Sequence, residues 1–339
     1  MKKINLGVVG ATGVVGETFL QLIEEREFPA GEIRLFASEA SQGKTRNCQG
    51  QDIAIQTLSE GCFDGLDLVF FSSGDDISKE WAPKAMAAGA IAVDNSAAFR
   101  MDERFPLVVP EVNGDLLPKP GNATIIANPN CSTIQLVVAL APLAKKYGLK
   151  GVRVASYQSV SGAGRNGIEE LLTSTRVALE GEDITKSETF PAPIPFNSIP
   201  QIGRFDDAGF CTEEVKIMKE TSKILRLPNL PVSAFTVRVP TLNSHAEAVW
   251  ATLEKPDLSV ADVTNTLKSA PGVEVTAPNE SPGYPTQKFA SGRDPVYVGR
   301  IHRDLFDKNT WLMWVVADNL RKGAALNGIQ IAEHIFDLK

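Results

Sequence analysis

Histidine is scarce in this 339-residue chain, with three copies, and cysteine is nearly as rare, with four. Cys48, Cys62, Cys131 and Cys211 stand far apart, without the close pairing of a zinc site, so no metal is expected. A chain this long also builds its core without disulfides, which makes the cytoplasm the expected compartment. Long apolar runs are missing: nothing approaches the roughly 18 uninterrupted residues that cross a membrane. Met1-Lys2-Lys3 before an apolar stretch has the look of a signal peptide. Gly10, Gly13 and Glu17 interrupt that stretch and no cleavage site follows, so a first strand is the better reading. Runs of like charge are missing too, and a net charge of −7 argues against the basic footprint of a nucleic-acid partner. No nucleic acid and no membrane are expected; small anions must be met by a few local cations. There is no repeat and no low-complexity tract.

What is present, 43% apolar and 22% charged residues, is ordinary globular usage, and the length suits two domains. The chain is organised around Asn128-Pro129-Asn130-Cys131-Ser132-Thr133, where the apolar run Ala123 to Ala127 breaks. Pro129 holds its predecessor out of the helical region, and Asn130 and Ser132 are good caps. Ile134 to Tyr147 then carries apolar residues at helical spacing, with Lys145 and Lys146 in the last turn. Cys131 is therefore expected at or just before a helix start, where unpaired amides and the positive end of the dipole favour a thiolate. The alternative is a small buried hydrophobe, the usual fate of an isolated cysteine.

Ile4 to Val9 reads as a buried strand, Gly10-Ala11-Thr12-Gly13-Val14-Val15-Gly16 as a glycine turn, and Phe19 to Ile23 as part of a helix. Glycines here allow a tight turn and bring backbone amides to a pyrophosphate on the helix N-terminus. The spacing is G-x-x-G-x-x-G instead of G-x-G-x-x-G, so a turn without ligand stays open. A second strand, Ile33 to Ala37, ends at Ser38-Glu39-Ala40-Ser41-Gln42-Gly43-Lys44, where such domains read the adenosine ribose. Ser38, Ser41 and Lys44 suit a 2′-phosphate and point to NADP; Glu39 would repel it or accept a 2′-hydroxyl. Asp67 to Gly74 is a further strand ending in the small residues Ser72, Ser73 and Gly74, and Ile77 to Ala88 is a helix. Ala90 to Ser96 is a strand with Arg100 just beyond it, where ligands are met, although Arg100 alone also reads as a surface charge. The alternation predicts an α/β fold with a parallel sheet wrapped by helices.

Beyond the Cys131 helix the pattern changes. Gly151 to Ser159 is expected as a strand whose end, Tyr157 to Gly164, is a loop carrying the Gln158 amide. Leu171 to Leu179 reads as a helix and the proline-rich Phe190 to Pro200 as irregular. Thr212 is the expected cap of a helix on which Glu213 and Lys216 stand one turn apart, usually a solvated pair. Val232 to Arg238 and Ala246 to Leu253 alternate as antiparallel strands, and His245 between them reads as a structural histidine or a general base. The tail is expected to form a strand, Trp311 to Ala317, and a helix, Asn319 to Ile335.

A thiol at a helix start, a histidine able to move protons, an arginine suited to a carboxylate and a dinucleotide fold agree on one chemistry. It is a change of oxidation state at an acyl carbon through a thioester. In its glycine turn, the Asn128 to Gln135 segment, Gln158 with Ser161-Gly162-Ala163-Gly164, Glu213 with Lys216, Arg238 to His245, and Asn319, the whole chain resembles the aspartate-semialdehyde dehydrogenases. The resemblance implies a Rossmann-like dinucleotide-binding domain of residues 1–127 and 318–339, and an α+β catalytic and dimerisation domain of residues 128–317. It implies NADPH-dependent reductive dephosphorylation of aspartyl 4-phosphate to aspartate 4-semialdehyde, in the biosynthesis of lysine, threonine, methionine and isoleucine. Cys131 would be the nucleophile, Gln158 would orient the intermediate, and His245 would be the acid/base. Arg238 would hold the substrate carboxylate, Glu213 its ammonium, and Arg100, Asn130 and Lys216 the phosphate. The cofactor would lie on Gly10, Thr12, Gly13, Val14, Val15, Gly16, Ser38, Ser41, Lys44, Ser72, Ser73, Gly74, Ser161, Gly162 and Asn319. A homodimer is implied, with a tetramer as the larger alternative. Glu39 departs from the arginine that relatives often carry in this stretch, which bears on NADP over NAD. N-acetyl-γ-glutamyl-phosphate reductase shares the chemistry, but its acylated substrate offers Glu213 no ammonium. A non-enzymatic dinucleotide-binding regulator would need neither the thiol nor Gln158, Arg238 and His245 in order.

Overall fold

A computed structural model describes residues 3–277 and 282–338; Met1 and Lys2, at the lysine-rich start, lie outside them. The chain forms two compact units, Met1–Asn130 with Ala324–Lys339, and Cys131–Gly323. Residues 128–130 group with the first unit and 318–323 with the second.

In the first unit the elements are β1 (Ile4–Val9), α1 (Val14–Glu25), β2 (Ala30–Phe36), β3 (Thr45–Cys48), β4 (Gln51–Gln56), β5 (Leu68–Phe71), α2 (Asp75–Ala87), β6 (Ile91–Asp94), α3 (Pro110–Asn113) and β7 (Ile125–Ala127). They form a sheet of order β3-β4-β2-β1-β5-β6-β7, parallel except for β3 at the edge. The central strands are apolar at nearly every position, as required of strands covered on both faces. Phe19 of α1 stacks on Phe70 of β5 with centroids 4.1 Å apart, which anchors the helix to the sheet. This is the α/β architecture expected. The β3–β4 hairpin was not predicted, because Thr45-Arg46-Asn47 lacks apolar alternation. Its two-residue turn, Gln49 (φ 50) and Gly50 (φ 74), has the left-handed pair that matches strand twist.

The second unit contains α4 (Cys131–Tyr147), β8 (Leu149–Gln158), α5 (Gly164–Leu179), α6 (Thr212–Ile224), β9 (Val232–Arg238), β10 (His245–Leu253), α7 (Val260–Lys268), β11 (Val273–Val275), α8 (Gln287–Ala290), β12 (Val296–Arg303) and β13 (Thr310–Ala317). Its sheet runs β11-β12-β13-β10-β8-β9 with mixed directions. Helices α4, α6 and α7 pack on it. Arg153, Tyr157 and Phe235 are exposed on the sheet, with Trp250 and Trp314 half-buried. The register sets Arg238, Gln158 and His245 side by side on three neighbouring strands. One row further in stand Thr236, Ser156 and Glu247.

Two expectations are corrected here. Helix α6 is capped by Cys211, not Thr212, with Glu214 closing the capping box. The Thr212 hydroxyl instead exchanges hydrogen bonds with the Arg204 backbone, accepting from N at 2.8 Å and donating to O at 2.9 Å. The last helix does not start at Asn319. Asp318 accepts from the amides of Leu320 and Arg321 at 2.8 and 3.0 Å, a π-type turn follows over Arg321–Ala325, and α9 (Leu326–Ile335) begins only then. Back in the first unit, α9 packs on α1, and Arg26 forks onto Glu333 at 2.7 and 2.8 Å.

Candidate active site

In the first unit, β1 delivers the chain into the glycine turn, and each glycine has its own reason. Gly10 adopts φ +84, and a Cβ on it would lie 2.8 Å from the Ser72 carbonyl oxygen. A Cβ on Gly16 would stand 2.3 Å from the Gly10 carbonyl oxygen, so only glycine lets α1 close on its turn. Around Gly13 the space is open apart from that same oxygen at 3.4 Å. Gly13 is also the N-cap of α1 and supplies no side chain to its leading amides. Thr12, Val14 and Val15 flank it, half-buried. An open cradle on a helix start with uncapped amides fits a pyrophosphate. At the neighbouring strand end, the Ser72 hydroxyl donates to the carbonyls of Val9 and Gly10 at 3.0 and 3.2 Å, the buried Ser73 hydroxyl makes no hydrogen bond among the described residues, and Gly74 opens α2. Ser38, Glu39 and Lys44 are exposed around a short 3-10 turn, and Ser41 is half-buried.

Arg100, also in this unit, is not a surface charge. It is buried, and its guanidinium donates to the carbonyls of Asn128 at 3.0 Å and Asn95 at 2.9 Å. Asn128 is itself fixed by Asn95 Oδ1 at 2.8 Å, the Ala324 carbonyl at 3.2 Å and Asn327 Nδ2 at 2.7 Å. Asn130, buried, ends the first of the unit's two stretches.

In the second unit Cys131 is the first residue of α4 and partly exposed, as the proline and asparagine before it predict. Gly323 lies against it: a Cβ there would stand 2.9 Å from the Cys131 Cβ. Arg238 is buried and donates through Nη1 to the Ser159 carbonyl at 2.7 Å, while the Ser159 amide donates to His245 Nδ1 at 3.1 Å. One backbone unit thus holds both side chains. An amide can only donate, so Nδ1 accepts and the neutral ring carries its proton on Nε2. That Nε2 is buried and makes no hydrogen bond among the described residues. Burial first, then the neighbouring Arg238 charge, lowers the His245 pKa to about 3, so the ring is neutral at physiological pH. Gly162 leaves the room beside it; a Cβ there would meet Arg238 Nη1 at 2.8 Å and His245 Nε2 at 3.2 Å. Glu213 is buried, with Gln158 Nε2 3.3 Å from one oxygen and Lys216 Nζ 3.6 Å from the other. Burial lowers the Arg238 pKa, while Glu213 and Cys131 act in the opposite sense.

Family models match in the same order: "Semialdehyde dehydrogenase, NAD binding domain" over residues 5–119 and "Semialdehyde dehydrogenase, dimerisation domain" over residues 140–322. The aspartate-semialdehyde dehydrogenase of Aquifex aeolicus is 47% identical over 329 residues, 97% of this chain and 96% of that protein. The chain belongs to the aspartate-semialdehyde dehydrogenase family. Among solved structures, aspartate semialdehyde dehydrogenase II of Vibrio cholerae complexed with ASA is 43% identical, with a TM-score of 0.95 over 99% of this chain and 98% of that one. The enzyme of Candida albicans with NADP is 27% identical, with a TM-score of 0.75 over 98% of each chain.

For an aspartate-semialdehyde dehydrogenase, the second unit gathers much of the expected chemistry by itself: Cys131, Gln158, Glu213, Lys216, Arg238 and His245 form one cluster. Glu213 and Lys216 are not the solvated pair their spacing suggests. Asn319, expected against the cofactor, is buried and knots the loop behind Gln158: its Oδ1 accepts from the Ser159 hydroxyl at 3.2 Å, the Ser161 hydroxyl at 3.1 Å and the Ser244 amide at 2.8 Å. Sequence reading missed Ser159, which meets His245 Nδ1 with both its amide and its hydroxyl, and Gly323, which acts by occupying no space. It also missed Asn95, which stands between Asp94 and Ser96 without a signal of its own, and Asn327, whose only signal is an amide side chain within an apolar stretch. Among the described residues no group of three or more His, Cys, Asp or Glu could hold a metal ion, and no helix is long and apolar enough to cross a membrane.

Proposed function

We propose that this oxidoreductase carries out NADPH-dependent reductive dephosphorylation of aspartyl 4-phosphate to aspartate 4-semialdehyde, through a thioester on Cys131. The observation that carries the reading is the row Arg238, Gln158, His245 in one unit with a cysteine at a helix start. It joins a carboxylate fork, an amide and a neutral N–H donor to a thiolate.

The helix dipole and the Arg238 charge favour the Cys131 thiolate without a separate base. Arg238 takes the substrate carboxylate and Glu213 its ammonium, which leaves the acyl carbon to the sulfur. Carbon–sulfur bond formation expels phosphate with the bonding pair, and we assign that anion to Arg100, Asn130 and Lys216. The bound nicotinamide nucleotide supplies the hydride in this direction and receives it in reverse. Charge then develops on the former carbonyl oxygen, where His245 Nε2–H donates and the Gln158 amide orients. Collapse breaks the carbon–sulfur bond and returns the thiolate with the aldehyde. No proton needs to leave His245, so the acid/base role narrows to a neutral donor: the Ser159 amide on Nδ1 opposes the imidazolium.

The glycine cradle, with Ser38, Ser41, Lys44 and Ser72 to Gly74, would hold the dinucleotide, and Ser161, Gly162 and Asn319 would shape the catalytic unit toward it. We assign the homodimer to the sheet surface carrying Tyr157, Phe235, Trp250 and Trp314, with a tetramer as the larger assembly, and the cytoplasm as the compartment. The reading is tested by NADPH formation from aspartate semialdehyde with and without phosphate. Phosphate-dependent turnover is expected; faster turnover of N-acetyl-glutamate semialdehyde would overturn it.

A further inference from the structure

Beneath the row that holds His245 lies a carboxyl group for which the reaction has no use. Glu247 is wholly buried, and neither of its oxygens makes a hydrogen bond among the described residues. Strand periodicity puts it on the same face of β10 as His245, one step further in. Its register partners are Ser156 on β8 and Val315 on β13. The Gln135 amide of α4 stands beside it, equally buried, and there too neither polar atom makes a hydrogen bond. Gln135 follows Cys131 by four residues, so both lie on one face of α4. The two orphaned groups therefore sit one layer behind the nucleophile and one layer behind the histidine.

An acid and a primary amide satisfy each other in a single arrangement: the acid O–H donates to the amide oxygen while the amide N–H donates to the acid carbonyl. A carboxylate would use only the amide N–H and leave the amide oxygen facing negative charge. Four orphaned polar atoms in a packed interior are otherwise a large penalty, which a small side-chain rotation removes. We propose that Glu247 is kept as a neutral carboxylic acid in a two-bond pair with Gln135, and that this pair ties β10 to α4 and so sets Cys131 against His245. Both are positioning residues. Burial raises the Glu247 proton affinity, against the smaller opposing effect of Gln135.

The functional side of this proposal rests on the thioester reading; its chemical side does not. Infrared difference spectra of the folded protein against Glu247→Gln should show loss of a protonated-carboxyl band at neutral pH, whatever the substrate. Loss of a carboxylate band instead overturns the neutral pair. Glu247→Leu should lower kcat and change the alkylation rate of Cys131 by about tenfold, with the dinucleotide KM unchanged, and Glu247→Gln, which restores two bonds, should recover both. Gln135→Leu combined with Glu247→Leu should lose less than the separate losses multiplied. Wild-type kcat and alkylation in Glu247→Leu, or failure of Glu247→Gln to recover them, overturns the positioning role. Should Glu247→Leu not fold, the recovery by Glu247→Gln and the infrared band decide.

Discussion

Replacing Glu247 by glutamine also has a consequence for stability that can be worked out in sign and size. In the unfolded chain the carboxyl has its ordinary value of 4.5, while in the fold burial holds it well above that. At neutral pH the folded protein therefore binds a proton that the unfolded chain has released. Linkage gives the direction: the contribution is fully present below pH 4.5 and is lost as pH rises toward the folded value. Between the unfolded value and the folded one, each pH unit removes about 1.4 kcal/mol. Glu247→Gln titrates in neither state and escapes this loss.

The assay is urea unfolding of parent and variant, at matched protein concentration, from mildly acidic to mildly alkaline pH. The variant is expected to be the more stable at neutral pH, with an advantage that shrinks toward zero as pH falls to the unfolded carboxyl value. His245 titrates in the opposite sense: with a folded pKa of about 3 against 6.5, its contribution is present above 6.5 and is lost as pH falls toward 3. Parent and variant share that term, so it cancels in their difference. Ser156, Val315 and Gln135, the groups around Glu247 on β8, β13 and α4, do not titrate in this window. A difference between the two proteins that stays flat with pH would refute the reasoning, because it would mean that the folded carboxyl is ionised.

Cys131→Ser should abolish turnover while Cys48→Ser, Cys62→Ser and Cys211→Ser retain it, since burial raises the Cys48 thiol to about 11 and pushes Cys62 up as well; activity surviving in Cys131→Ser refutes the nucleophile. Arg238→Lys replaces a buried fork by a point charge and should raise the KM for the semialdehyde about tenfold or more, with dinucleotide KM unchanged. Gly323→Ala would put a methyl 2.9 Å from the Cys131 Cβ, so the sulfur must shift by roughly half an ångström, and kcat should fall about tenfold with normal folding by circular dichroism. NADP should be preferred to NAD, with Glu39→Arg widening the kcat/KM ratio and Lys44→Ala narrowing it; a parental preference for NAD refutes the serine and lysine reading.

What could be read from sequence and what could not divide along physical lines. The strand, glycine turn and helix at the N-terminus and the Asn128 to Thr133 break are continuous stretches whose backbone preferences are local, and the structure places their elements close to where they were expected. The Glu213 and Lys216 pair has the same spacing whether solvated or buried. The burial of Glu213 comes from the packing of α6, which no local pattern carries. Thr212 is a good cap by type, yet its hydroxyl is committed to Arg204, and Cys211 takes the position. Ser159 joins Arg238 to His245 through its amide and carbonyl, with its hydroxyl also 3.2 Å from His245 Nδ1, and a lone serine at a strand end carries no signal of that role. Glu247 falls between these cases. Period-two spacing from His245 already places it on the buried face of a strand, where an acid has to find a partner or keep its proton. The sequence contains that conflict in plain view; the partner that resolves it, four residues beyond Cys131 in α4, emerges only when the two elements are packed together.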